Sequence, residues 1–112
     1  MKRGEIWWAD VGDPSGPEPG FRRPAVIVSA NRFNRTPINT VIVLFLTANA
    51  ARGGDPGNIW LASRQTGLPR DLVANITQLG TVDKRILTER IGRVPDELMS
   101  KIDDGLRLVL GL

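Results

Sequence analysis

The sequence contains no cysteine, no histidine and no tyrosine. Without cysteine there is no disulfide, no thiolate metal site and no cysteine nucleophile. The missing histidine excludes more, because histidine is the commonest general base near neutral pH and the commonest transition-metal ligand. Any catalysis must use Arg, Lys, Asp, Glu, Ser or Thr. Long hydrophobic runs are also lacking. No apolar stretch approaches the roughly 18 residues that a membrane span needs, and no signal-like segment precedes the first strand. The expectation is a cytoplasmic protein with no membrane contact.

What is present reads as an ordinary globular chain. Its 112 residues are 41% hydrophobic and 24% charged, which fits one compact domain over residues 1–112. A core of that size is modest, so a partner subunit would help it. The net charge is only +3, yet 12 of the 15 basic residues are arginine. The planar fork of arginine suits phosphate oxygens, although coding bias and surface solubility account for the same count.

Alternation and breakers divide the chain. Gly4 to Asp10 reads as a strand with Ile6 and Trp8 on one face and Trp7 and Ala9 on the other. Residues 11–23 form a loop with three prolines and three glycines, a length and composition usual for functional loops. Pro24 to Ala30 is a second strand, its proline tolerated at the first position. Asn31 to Asn39 reads as a polar turn. Thr40 to Thr47 is apolar on both faces and therefore central. A breaker-rich loop at 48–57 precedes a short strand at 58–63. After a turn, Leu72 to Leu79 forms a fifth strand. A helical turn over 81–87, capped by Thr81, leads to an edge-like sixth strand. Pro95 opens one clear helix, with Asp96 and Glu97 complementing its positive end and Leu98, Ile102, Leu106, Val109 and Leu110 forming a stripe. Gly105 interrupts it at about 1 kcal/mol against alanine. Five or six short strands and a terminal helix predict a mainly β fold, a small curled antiparallel sheet or barrel with short helices.

Several residues could carry chemistry. Pro24 drives Arg23 toward extended backbone at the head of a stiff strand, which mounts a fixed charge rigidly. By alternation Arg22 points the other way; the plainer reading is two surface arginines flanking a strand. Thr47 ends the most apolar strand, and its hydroxyl could donate to a developing oxyanion. Asn75, Thr77 and Gln78 are polar in an apolar element, either its solvent face or groups that read bases. No carboxylate spacing argues for a metal cage, and no glycine motif for a phosphate cradle.

Four segments together carry a resemblance across nearly the whole chain, in order: RGEIWWADVG, FRRPAVIVSAN, VIVLFLTAN and ITQLGTVDKRILTERIGRVP. The chain resembles the MazF/PemK/Kid toxins of bacterial toxin–antitoxin modules. The resemblance implies an SH3-like barrel, a homodimer, and a sequence-selective endoribonuclease that uses neither metal nor cofactor. It implies that Arg23 matches the catalytic arginine before the proline, that Thr47 matches the catalytic threonine, and that Gln78 falls on a recurrent glutamine near the site. Kid-type members carry an arginine and an aspartate on the fifth strand and a histidine elsewhere. Asn75 and Thr77 stand here instead, so the arginine–threonine pair is the better guide.

The implied reaction needs no enzyme nucleophile, since RNA carries a 2′-hydroxyl beside each phosphate. In-line attack would leave a 2′,3′-cyclic phosphate and a 5′-hydroxyl, with Arg23 clamping the phosphorane and Thr47 bonding a non-bridging oxygen. Glu18, in the 11–23 loop, is one candidate base, beside water or a backbone carbonyl. Asn75, Thr77 and Gln78 would read bases of single-stranded RNA; Arg22, Arg52, Lys84 and Arg85 would meet RNA phosphates. The implied partner is an antitoxin whose flexible acidic segment covers the groove. The dimer would bury apolar surface near the terminal helix and third strand. Two alternatives use the same barrel: a CcdB-like gyrase poison, which depends on a C-terminal tryptophan segment where this chain has RLVLGL, and an RNA-binding module without activity.

Overall fold

The computed structural model describes residues 1–12 and 22–112. Glu18 and most of the glycine- and proline-rich loop lie outside them. Among the described residues, six strands form one antiparallel sheet: β1 (Glu5–Asp10), β2 (Arg22–Ile27), β3 (Thr40–Thr47), β4 (Ile59–Leu61), β5 (Leu72–Asp83) and β6 (Leu87–Arg93). Their order is β4-β5-β3-β2-β1-β6. Helices α1 (Asn31–Asn34) and α2 (Ser63–Thr66) are single turns, and α3 (Asp96–Leu110) closes the chain.

β3 is central, as its two apolar faces predict, because each face covers a different core. Ile6, Val26, Leu44, Leu46, Ala74 and Ile76 pack on one side with Met99 and Ile102 of α3. Ala9, Ala25, Ile27, Val41, Val43 and Leu87 pack on the other, with Trp7 and Phe45 against them. The predicted alternation of β1 holds: Ile6 serves the first core, Trp7 and Ala9 the second.

The curl has two local causes. Leu44 of β3 pairs with Leu79 and Leu46 with Ala74. Four residues of β5, Asn75 to Gln78, therefore stand where β3 has only Phe45, and the strand bends sharply there. At the other side the Thr66 carbonyl lies so close to Gly92 of β6 that a Cβ on that glycine would overlap it. This approach brings α2, next to edge strand β4, against edge strand β6 and turns the sheet into a half-barrel.

Several boundaries depart from expectation. β2 begins at Arg22 rather than Pro24, because Arg22 and Arg23 already pair with Asp10 and Ala9. The polar turn after it contains α1, and the 48–57 loop contains a 3-10 turn at Ala50–Gly54. The fourth strand shrinks to Ile59–Leu61 because Ser63–Thr66 turns helical. β5 runs on to Asp83, since Gly80 to Asp83 keep pairing with β3. The following helical turn is only Lys84–Ile86 and is capped by Asp83, not Thr81. Pro95 is the cap of α3 rather than its first residue. Val109 and Leu110, assigned to the apolar stripe, are instead 40% and 53% exposed.

Candidate active site

Arg23 occupies the second position of β2, directly before Pro24. Its guanidinium carbon lies 4.8 Å from the centre of the Phe45 ring, a cation–π arrangement. Its Nη2 donates to Gln78 Oε1 at 2.8 Å. Both contacts follow from the fold. Phe45 pairs with Ala25, two residues along β2 from Arg23 and on the same face. The inserted residues of β5 deliver Gln78 to that face. The register that pairs Ala25 with Phe45, carried two residues further, sets Arg23 opposite Thr47. Thr47 is the last residue of β3 and half-buried. Its Oγ1 accepts from the Asn49 amide at 3.1 Å, which leaves its own hydrogen to donate. A rigid cation and a hydroxyl thus share one face at one rim of the sheet. That pair can hold a phosphate oxygen and stabilise charge that grows on it.

Asn75 and Thr77 join this face through a small amide network. Thr77 Oγ1 donates to Asn75 Oδ1 at 3.3 Å, and Asn58 Nδ2 donates to the same oxygen at 3.4 Å. Asn58 also donates to the Arg52 carbonyl at 2.9 Å and accepts from the Ile76 amide at 2.9 Å. It therefore ties the turn that follows Thr47 to the bend of β5. Sequence reasoning missed Asn58 and Phe45. The only signal for Asn58 is a polar residue after a Pro-Gly turn, and Phe45 looks like any strand aromatic. Arg52 is exposed on that turn and pairs with Asp55 at 3.2 Å.

Three other candidates lie elsewhere. Arg22 faces away from Arg23, with its guanidinium carbon 4.4 Å from the centre of a Trp8 ring and 3.4 Å between Nη1 and Glu89 Oε2. It lines a separate cleft of about 250 Å³ with Pro24, Leu46 and Arg70. Lys84 and Arg85 follow Asp83, the partner of Thr40. The eight residues of β3 separate them from Thr47, about 25 Å of strand. Lys84 Nζ donates to the Asn34 and Thr36 carbonyls at 2.9 and 3.2 Å, fastening the end of α1. Arg85 chelates Asp83 through Nε and Nη2 at 3.1 and 3.0 Å. Those hydrogen bonds hold the Asp83 carboxyl below its usual range and push the Arg85 guanidinium up. Among the described residues, no three carboxylates gather as metal ligands would, and no helix is long and apolar enough to cross a membrane.

A curled six-stranded half-barrel with a terminal helix and an arginine and a threonine at one end of its central strands defines a small, mainly β protein. Comparison with known proteins names the class further. Residues 2–110 match the family described as PemK-like, MazF-like toxin of type II toxin-antitoxin system. The chain is 45% identical to Endoribonuclease MazF6 of Mycobacterium tuberculosis over 112 residues, covering 100% of this chain and 98% of that protein. It is 33% identical to Endoribonuclease EndoA of Bacillus subtilis, covering 100% and 96%. Among solved structures, an endoribonuclease in complex with its cognate antitoxin from a mycobacterial species superposes with a TM-score of 0.80 at 28% identity, covering 100% and 96%. A MazE–MazF structure from Deinococcus radiodurans shares the fold at a TM-score of 0.81 and 22% identity, covering 100% and 96%. The chain belongs to the PemK-like, MazF-like toxin family.

Proposed function

We propose that this protein is the endoribonuclease toxin of a toxin–antitoxin module, acting in the cytoplasm on single-stranded RNA, with residues 1–112 working as one domain. The observation that carries the reading is the mounting of Arg23, stacked on Phe45 and bonded to Gln78, at the end of β2 where the β2–β3 register runs toward Thr47. The relatives named as endoribonucleases, matched along 98% and 96% of their length, support it.

In this reading the RNA's own 2′-oxygen attacks the adjacent phosphorus and displaces the 5′-oxygen of the next nucleotide. The products are a 2′,3′-cyclic phosphate and a 5′-hydroxyl; the proton leaving the 2′-hydroxyl is matched by the one the leaving 5′-oxygen takes up, exchanged through solvent water, and no water is consumed. Arg23 neutralises the charge on the pentacoordinate phosphorus, and the Thr47 hydroxyl donates to a non-bridging oxygen. Phe45 and Gln78 keep the guanidinium in place before RNA arrives, so little reorganisation accompanies the reaction. The protein acts as a homodimer. Its antitoxin covers the RNA groove with an acidic segment that orders on binding.

The test incubates the purified protein with mixed-sequence RNA in EDTA and maps the cut ends, with Arg23→Ala and Thr47→Ala alongside. Discrete cuts with cyclic-phosphate ends, slowed about 100–1,000-fold in each variant, are expected. A folded, antitoxin-free protein that cuts none of many RNAs would instead favour a non-catalytic toxin or an RNA-binding module on this fold.

A further inference from the structure

Trp60 is not used by the site described above, and it is 50% exposed on edge strand β4. A large aromatic ring on an edge strand invites unwanted contacts, so its presence calls for an occupant. Its position names one. Thr47 pairs with Val73 on β5, and Val73 pairs with Trp60 on β4. The three form a straight row across adjacent strands, so their side chains leave the same face. Two strand spacings, about 10 Å, separate the Thr47 and Trp60 backbones.

The ring is also held. Gly53, in the turn after Thr47, lies against the Nε1–Cε2–Cζ2 edge of the indole so closely that a Cβ there would overlap it. Arg52 precedes that glycine and stands exposed, and the amide network of Asn58 and Asn75 borders the row. A rigid exposed indole, with an arginine and carboxamides beside it, matches what unstacked bases require: a flat apolar surface, with hydrogen-bonding groups at its margin.

We propose that Trp60 is a stacking platform for a base of single-stranded RNA flanking the cut, and that it sets sequence preference at that position. The inference rests on the endoribonuclease reading for its substrate and adds a residue to the recognition surface. Trp60 takes no part in the chemical step: it binds a neighbouring base and so fixes which phosphate reaches Arg23 and Thr47.

Two measurements test it. The first is cleavage of a randomised RNA pool, sequenced at the cut ends, by wild type, Trp60→Ala and Trp60→Phe. Trp60→Ala should lose roughly tenfold in kcat/KM, mostly through KM, and flatten preference at one position beside the cut, while Trp60→Phe recovers most of both. The second needs no cleavage: indole fluorescence titrated with random-sequence 2′-O-methyl RNA. Quenching in the wild type that is absent in Trp60→Phe is expected. If the wild type cuts no RNA, the endoribonuclease reading falls and the titration still decides whether a base stacks on Trp60. An unchanged cleavage profile in Trp60→Ala would overturn the inference, as would RNA binding without Trp60 quenching. So would conversion of a dimer to monomers by Trp60→Ala in sedimentation, which would make the ring an interface residue.

Discussion

At the scale of single residues, the face of the guanidinium matters as much as its charge. Arg23 lies over Phe45 while one nitrogen donates to Gln78. A lysine would keep the charge and lose the planar stack and the fork. Arg23→Lys should therefore cost about 100-fold in kcat while the folded state keeps its thermal midpoint; near-wild-type turnover would reduce Arg23 to a counter-charge. Arg23 and Thr47 stand out in sequence through the Arg-Pro step and the polar end of an apolar strand, and the family resemblance implies their proposed roles. Phe45 and Gln78 were not legible as partners of Arg23, because their approach depends on strand pairing and on inserted residues in another strand. Glu5 is a second residue-scale case. Burial alone would raise its carboxyl, but donation from the Lys2 amide and Trp7 Nε1 and the charge of Arg90 outweigh it, so the carboxyl titrates below its usual value. A folded value below the unfolded one adds stability that is complete above the ordinary carboxylate range and is lost as pH falls through the folded value. The melting temperature of the wild type should thus exceed that of Glu5→Gln at pH 7, and the gap should close on acidification below about pH 4.5. A gap independent of pH would show that the ionised form is not what the fold favours.

At the scale of elements, strands of alternating or doubly apolar character were readable, and their irregularities were not. Pleat periodicity marks β3 as central but carries no sign of three extra residues in β5, since Asn75 to Gln78 contain no glycine or proline to mark a bulge and only Asn75 is uncommon in strands. Likewise α2 has no side-chain cap and sits in a run that reads as a turn. The helix α3 was plain from its spacing, whereas the reason for Gly105 was hidden. Sequence alone makes that glycine a defect of about 1 kcal/mol. In the fold, a Cβ there would overlap the Gly57 carbonyl and lie 3.1 Å from Ile76 Cγ1. Gly105 lets α3 sit directly on the turn that Asn58 ties to β5. Gly105→Ala should therefore destabilise the protein by about 1–2 kcal/mol despite its better helix propensity, since overpacking outweighs the gain. Denaturant unfolding measures this, and a stabilised variant would mean the turn yields without cost.

At the scale of the whole molecule, the C-terminal end of the same helix carries apolar side chains that one chain leaves uncovered. Met99 and Ile102 are buried against the sheet, but Leu108, Val109, Leu110 and Leu112 are 64%, 40%, 53% and 85% exposed. The spacing of apolar residues forecast a longer buried stripe than the sheet can cover, because periodicity records which residues avoid water and not which surface shelters them. Four large apolar side chains in the last turn and a half are more than scattered surface residues, and a second subunit is the occupant that the homodimer reading supplies. A two-fold contact would set these leucines against their own copies and remove them from water on both subunits at once. Leu108→Lys would place a charge in that contact twice, opposite itself, while on the isolated subunit it would replace an already exposed side chain. The expected outcome is a dimer in the wild type and a shift toward folded monomer in Leu108→Lys, read by sedimentation equilibrium beside circular dichroism. Retention of the dimer at micromolar concentration would move the interface elsewhere on the half-barrel and leave the end of α3 to the antitoxin.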